Sequence, residues 1–104
     1  METVVETQVY LAAAKRVGMT EGEMTAAVNL LSANPRAGDL MVGSGGCRKV
    51  RLAGRGRGKS GGYRLITFYR VGEMVYLLTV ISKGDRENLT DAENNALAAL
   101  VKAL

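Results

Sequence analysis

The chemistry available to this chain of 104 residues is that of clustered cations. Lys49 and Arg51 stand two positions apart in the run Arg48-Lys49-Val50-Arg51-Leu52, and Arg64 follows a glycine-rich stretch. On a strand, residues two apart project from the same face, so Lys49 and Arg51 share one surface while Val50 and Leu52 turn to the other, where helices can bury them. Arg64 has the parity of Ile66 and Phe68 on the following strand, and a suitable hairpin register brings it onto the surface of Lys49 and Arg51. Lys83 and Arg86, just past the last predicted strand, extend the patch. Grouped ammonium and guanidinium groups bind phosphate oxygens and stabilise charge that develops on them. The alternative is a set of solvated edge charges with no common target.

Charge along the chain favours a polyanion. Residues 40 to 72 hold eight basic side chains (Arg48, Lys49, Arg51, Arg55, Arg57, Lys59, Arg64 and Arg70) and no acid, whereas the rest holds six basic and ten acidic, so the net charge of +4 understates the asymmetry. Segregated positive charge draws nucleic acid because neutralised phosphates release their condensed counterions. With no histidine and a single cysteine, the chain cannot form an internal disulfide or a multi-cysteine zinc cage. Neither a metal site nor a small-molecule cofactor is expected.

Two other features invite chemistry and fail on inspection. Cys47 lies beside Arg48 but has no histidine to take its proton, and a lone cytosolic cysteine is usually inert packing. Ala53 to Ser60 fits a permissive nucleotide-loop pattern ending in Gly58-Lys59-Ser60. That mechanism needs a helix starting at the Lys-Ser so that its amides cradle phosphate, and here Gly61-Gly62 and a strand pattern follow. The loop still offers backbone amides and the side chains of Arg55, Arg57 and Lys59 to an anion, more plausibly an RNA backbone than ATP.

These residues need a scaffold, and the patterning predicts one α+β domain over residues 1–104. Residues 2 to 6 read as a strand. Val9 to Val17 read as a helix closed by Gly18, and the capping box at Thr20 to Glu23 opens a second helix over Met24 to Ala33. Asn34-Pro35 ends this helical hairpin. Residues 36 to 46 read as a loop, after which the strand around Arg48 to Leu52, Tyr63 to Arg70 and Met74 to Ser82 form an antiparallel meander. A second capping box at Thr90 to Glu93 starts an amphipathic helix through Leu97, Leu100, Val101 and Leu104. The predicted order is β-α-α-β-β-β-α, in a three- or four-stranded, mainly antiparallel sheet with residues 53 to 62 poorly ordered. No run approaches the roughly 18 apolar residues of a membrane span, and the opening Met1-Glu2-Thr3 lacks the basic start of a secretory signal. A cytoplasmic location without membrane contact is expected.

The stretch Gly45-Gly46-Cys47-Arg48-Lys49-Val50-Arg51-Leu52, the loop to Lys59-Ser60-Gly61-Gly62-Tyr63-Arg64, and Val75-Tyr76-Leu77-Leu78-Thr79-Val80 together resemble HigB-type members of the RelE toxin superfamily. The likeness extends to the opening Val-Val-Glu-Thr, to Asn-Pro-x-x-Gly-Asp after the second helix, and to Lys-Gly-Asp-x-x-x-Leu-Thr before the last. It implies a RelE-like fold and a ribosome-dependent endoribonuclease that cuts mRNA and inhibits translation. The family's basic strand pair falls on Lys49 and Arg51, its arginine after the glycine turn on Arg64, and its lysine at the end of the last strand on Lys83. Better-known relatives follow that lysine with arginine and then, six residues on, tyrosine; this chain has Gly84 and Thr90, with Arg86 the candidate substitute for the arginine.

On that reading Arg64 stabilises the charge on phosphorus and Lys49, crowded by other cations, moves the proton, with Arg51 and Lys83 completing the catalytic set. Arg48, Arg55, Arg57, Lys59 and Arg86 bind RNA, with Arg55 and Arg57 anchoring the protein on ribosomal RNA. The implied partners are the ribosome, mRNA and a cognate antitoxin, expected to be of the helix-turn-helix type. Two alternatives stay open: a ParE-like relative that acts on DNA gyrase without cutting RNA, and a basic module that binds nucleic acid without catalysis.

Overall fold

The computed structural model describes residues 1–54, 62–84, 86 and 88–104. Its elements are β1 (Thr3–Glu6), α1 (Gln8–Val17), α2 (Glu21–Ala33), β2 (Asp39–Leu40), β3 (Arg48–Leu52), β4 (Tyr63–Arg70), β5 (Met74–Ser82) and α3 (Asp91–Ala103). The α+β order follows the sequence reading with one added strand, β2. The strands form one sheet in the order β1-β5-β4-β3-β2, antiparallel except where β1 runs parallel to β5. The sheet thus has five strands rather than three or four.

The extra strand lies inside the stretch read as a loop. With two residues it shows no alternation, and what builds it is Gly38, at φ 87°, where a side chain would put its Cβ 2.3 Å from the Lys49 carbonyl oxygen. Only a residue without Cβ lets the chain approach β3 this closely in that conformation. Asp39 and Leu40 then pair with Lys49 and Arg48.

The helix starts follow local chemistry. Thr20 and Thr90 each accept from the amide of a glutamate three residues on, Glu23 or Glu93, whose carboxylate accepts from the threonine amide in return. These reciprocal bonds satisfy amides that the first helical turn leaves unpaired. The capping turn is itself the start of α2, which begins at Glu21 instead of Met24.

Two cores cover the two faces of the sheet. The hairpin of α1 and α2 buries Tyr10, Ala13, Ala14, Ala27 and Leu31 against Val50, Tyr63, Leu65, Val75, Leu77 and Val80. Helix α3 lies on the opposite face, where Leu97 packs with Cys47, Ile66 and Leu78, flanked by Phe68, Tyr76 and Leu100. Cys47 is fully buried, which pushes its thiol pKa up and fits inert packing. The expected disorder of residues 53 to 62 and the rejected helix at Lys59 fall, for residues 55–61, outside the described residues. Among the described residues no helix is long and apolar enough to cross a membrane.

Candidate nucleic-acid interface

The β3–β4 register settles whether the three cations meet. Arg51 pairs directly with Arg64, and Lys49 pairs with Ile66. Directly opposed residues share a face, with Cβ atoms roughly 4.5–5.5 Å apart. Ile66 belongs to the α3 core, so Lys49, Arg51 and Arg64 occupy the face that carries α3. They lie beside the helix rather than under it, because its apolar contacts follow β4 toward Phe68 while Arg64 stands near the other end of the strand. Arg51 is exposed and Lys49 and Arg64 are half-buried.

Like charges directly across a sheet destabilise it. Among the described residues neither Arg51 nor Arg64 forms an ion pair. The pair therefore holds two adjacent guanidinium groups ready for an external anion. The strand beneath them is anchored from the other face, where the buried Tyr63 hydroxyl donates to Glu23 Oε1 at 3.1 Å, tying the first residue of β4 to the capping box of α2.

The remaining predicted residues divide. Lys83 follows β5, its amide donating to the Gly62 carbonyl at 3.0 Å, and lies two residues beyond Ile81, the β5 partner of Arg64. Its backbone is therefore at the same end of the sheet as the arginine pair. Arg48 alternates with Lys49 and so leaves the opposite face, where its Nη1 donates to the Gly38 carbonyl at 3.1 Å. Arg86 makes a bidentate pair with Glu93, Nη2 to Oε2 at 2.8 Å. That guanidinium is held by α3, and the hydrogen bonds from Arg86 and from the Thr90 amide lower the Glu93 pKa to about 2. Arg55, Arg57 and Lys59 lie outside the described residues.

Sequence reasoning missed the surroundings of Lys49. Its Nζ donates to Asn88 Oδ1 at 2.9 Å, across 39 positions of sequence. Asp39, Asn88 and Asn94 join it around a cavity of about 390 Å³. Polar residues ahead of a capping box read as loop, and only the packing of α3 brings them to β3. The capping box did mark Glu93, though not its second role as partner of Arg86.

A basic face on a small antiparallel sheet, between a helical hairpin and a C-terminal helix, is the frame in which the family comparison falls. The chain matches, over residues 2–104, the family model for the RelE toxin of the RelE/RelB toxin-antitoxin system. It therefore belongs to the RelE toxin family, and an antitoxin partner comes with that membership.

Proposed function

We propose that this chain is an endoribonuclease of the HigB type that cuts translated mRNA on the ribosome, without a metal of its own. The observation that carries the reading is the directly opposed pair Arg51 and Arg64, with Lys49 on the same face. Their mutual repulsion is relieved when a phosphate lies between or above them. In the reaction the 2′-oxygen of a ribose bonds to its adjacent phosphorus, the bond to the 5′-oxygen of the next nucleotide breaks, and that oxygen gains a proton. Arg64 stabilises the charge on the phosphoryl oxygens, Lys49 moves protons, and Arg51 and Lys83 hold the backbone. A set this sparse gains most from a substrate strand that the ribosome already holds in line, because orientation supplies a large share of the barrier reduction.

The same reading gives the chain a cytoplasmic site of action and a helix-turn-helix antitoxin. One observation favours the rival that acts on gyrase: Arg86, the candidate substitute for the family's second basic residue, is engaged by Glu93. In-vitro translation with mapping of mRNA 5′ ends separates the two. Cuts in phase with codons and dependent on ribosomes are expected. Intact mRNA together with blocked DNA supercoiling would transfer the assignment to gyrase.

A further inference from the structure

Next to the arginine pair lies a cavity whose chemistry does not suit a phosphate. It opens between β2, β3 and the approach to α3, and its polar lining is Lys49, Asp39, Asn88 and Asn94, with Leu40 and Leu89 as apolar walls. At about 390 Å³ it falls within the roughly 300–1,000 Å³ typical of small-ligand sites. Lys49 Nζ already donates to Asn88 Oδ1. The Asn94 amide oxygen is buried and has no hydrogen-bond donor among the described residues. A phosphate brings only acceptors and negative charge, so it would leave that oxygen unpaired and be repelled by the Asp39 carboxylate.

We infer that this cavity receives one base of the RNA strand and selects bases that carry an exocyclic amino group. A base presents flat apolar faces to Leu40 and Leu89. Its edge offers an amino donor to Asp39 and Asn94, and ring or carbonyl acceptors to Lys49 and the Asn88 amide nitrogen. Adenine, cytosine and guanine have that amino group and uracil lacks it. Splayed single-stranded bases are commonly held this way, between apolar walls and edge-reading side chains. The position fits a neighbouring phosphate, since Lys49 and Arg51 are two residues, or about 7 Å, apart along the strand. The identity of the strand rests on the ribonuclease reading above, whereas the base selection has its own test.

That test uses the full-length chain and labelled 2′-O-methyl hexamers of A, C and U, which lack the attacking hydroxyl, so that binding is measured without cleavage. The A and C hexamers should bind at least about fivefold more tightly than the U hexamer, the low end for one base-edge contact. Asp39→Ala combined with Asn94→Ala should bring the three affinities together while leaving the far-ultraviolet circular dichroism unchanged. Equal binding by the parent chain, or a preference that survives in the double variant, overturns the inference. Loss of antitoxin affinity in a double variant whose parent shows no base preference would reassign the cavity to the protein partner and likewise overturn it. Codon-phased cutting with no hexamer preference rejects this cavity alone. A hexamer preference without cutting upholds the cavity and rejects only the ribonuclease reading.

Discussion

At the scale of single residues, Arg64 is the most exacting position. Its partner across the sheet is Arg51, its neighbour Tyr63 is locked to Glu23, and its side chain lies beside the α3 core rather than in it. Replacing it with alanine removes one of two repelling charges and opens no core cavity, so folding stability should change by less than about 1 kcal/mol. Loss of one charge stabiliser at a reacting phosphate costs on the order of a hundredfold in rate. The expected phenotype of Arg64→Ala is a folded protein with an unchanged melting curve that neither arrests growth nor cuts mRNA. Undiminished arrest by that variant would remove Arg64 from the site. The alternation of Lys49, Val50 and Arg51 made this cluster legible, because strand parity is written in the sequence. The surroundings of Lys49 were not, because Asn88 reaches it through tertiary packing and shares no local pattern with it.

At the scale of elements, helix α3 joins folding to the site. Its capping box was readable from Thr90 and Glu93, as was the hairpin from Thr20, Glu23 and Asn34-Pro35, since caps and proline act through neighbouring backbone. Strand β2 was hidden because Gly38's close approach to Lys49 depends on β3 being in place. That α3 would cover the charged face also had no local signature, an amphipathic helix recording only that one side is buried. Glu93 now carries two loads, the Thr90 amide and Arg86. Its pKa is lowered from 4.5 to about 2 in the folded chain, so its contribution to stability is complete above 4.5 and is lost as pH falls toward 2. Urea midpoints measured between pH 5 and pH 2 should therefore fall more steeply for the parent than for Glu93→Gln, with the gap between them closing at the acid end. Parallel curves would mean that the carboxylate contributes nothing beyond its neutral isostere.

At the scale of the whole molecule, the basic charge is concentrated between residues 40 and 72 while acids dominate the remainder. The family supplies an antitoxin, and the structure says where its charge must go. A partner that silences the face of Lys49, Arg51 and Arg64 has to meet unpaired guanidinium groups, and acidic side chains do so while also speeding encounter through complementary potentials. A partner that instead blocks access to the ribosome from the hairpin side would face the acidic elements and gain little from charge. The two modes differ in their response to salt, because screening acts on attraction between exposed charges and shortens its range to about 8 Å at physiological ionic strength. We expect association of the purified pair to slow several-fold between 50 mM and 500 mM salt, and Arg51→Ala to flatten that dependence. Stopped-flow mixing gives the rate directly. A rate indifferent to salt and to Arg51 would place the antitoxin on the apolar or acidic surfaces away from the basic face.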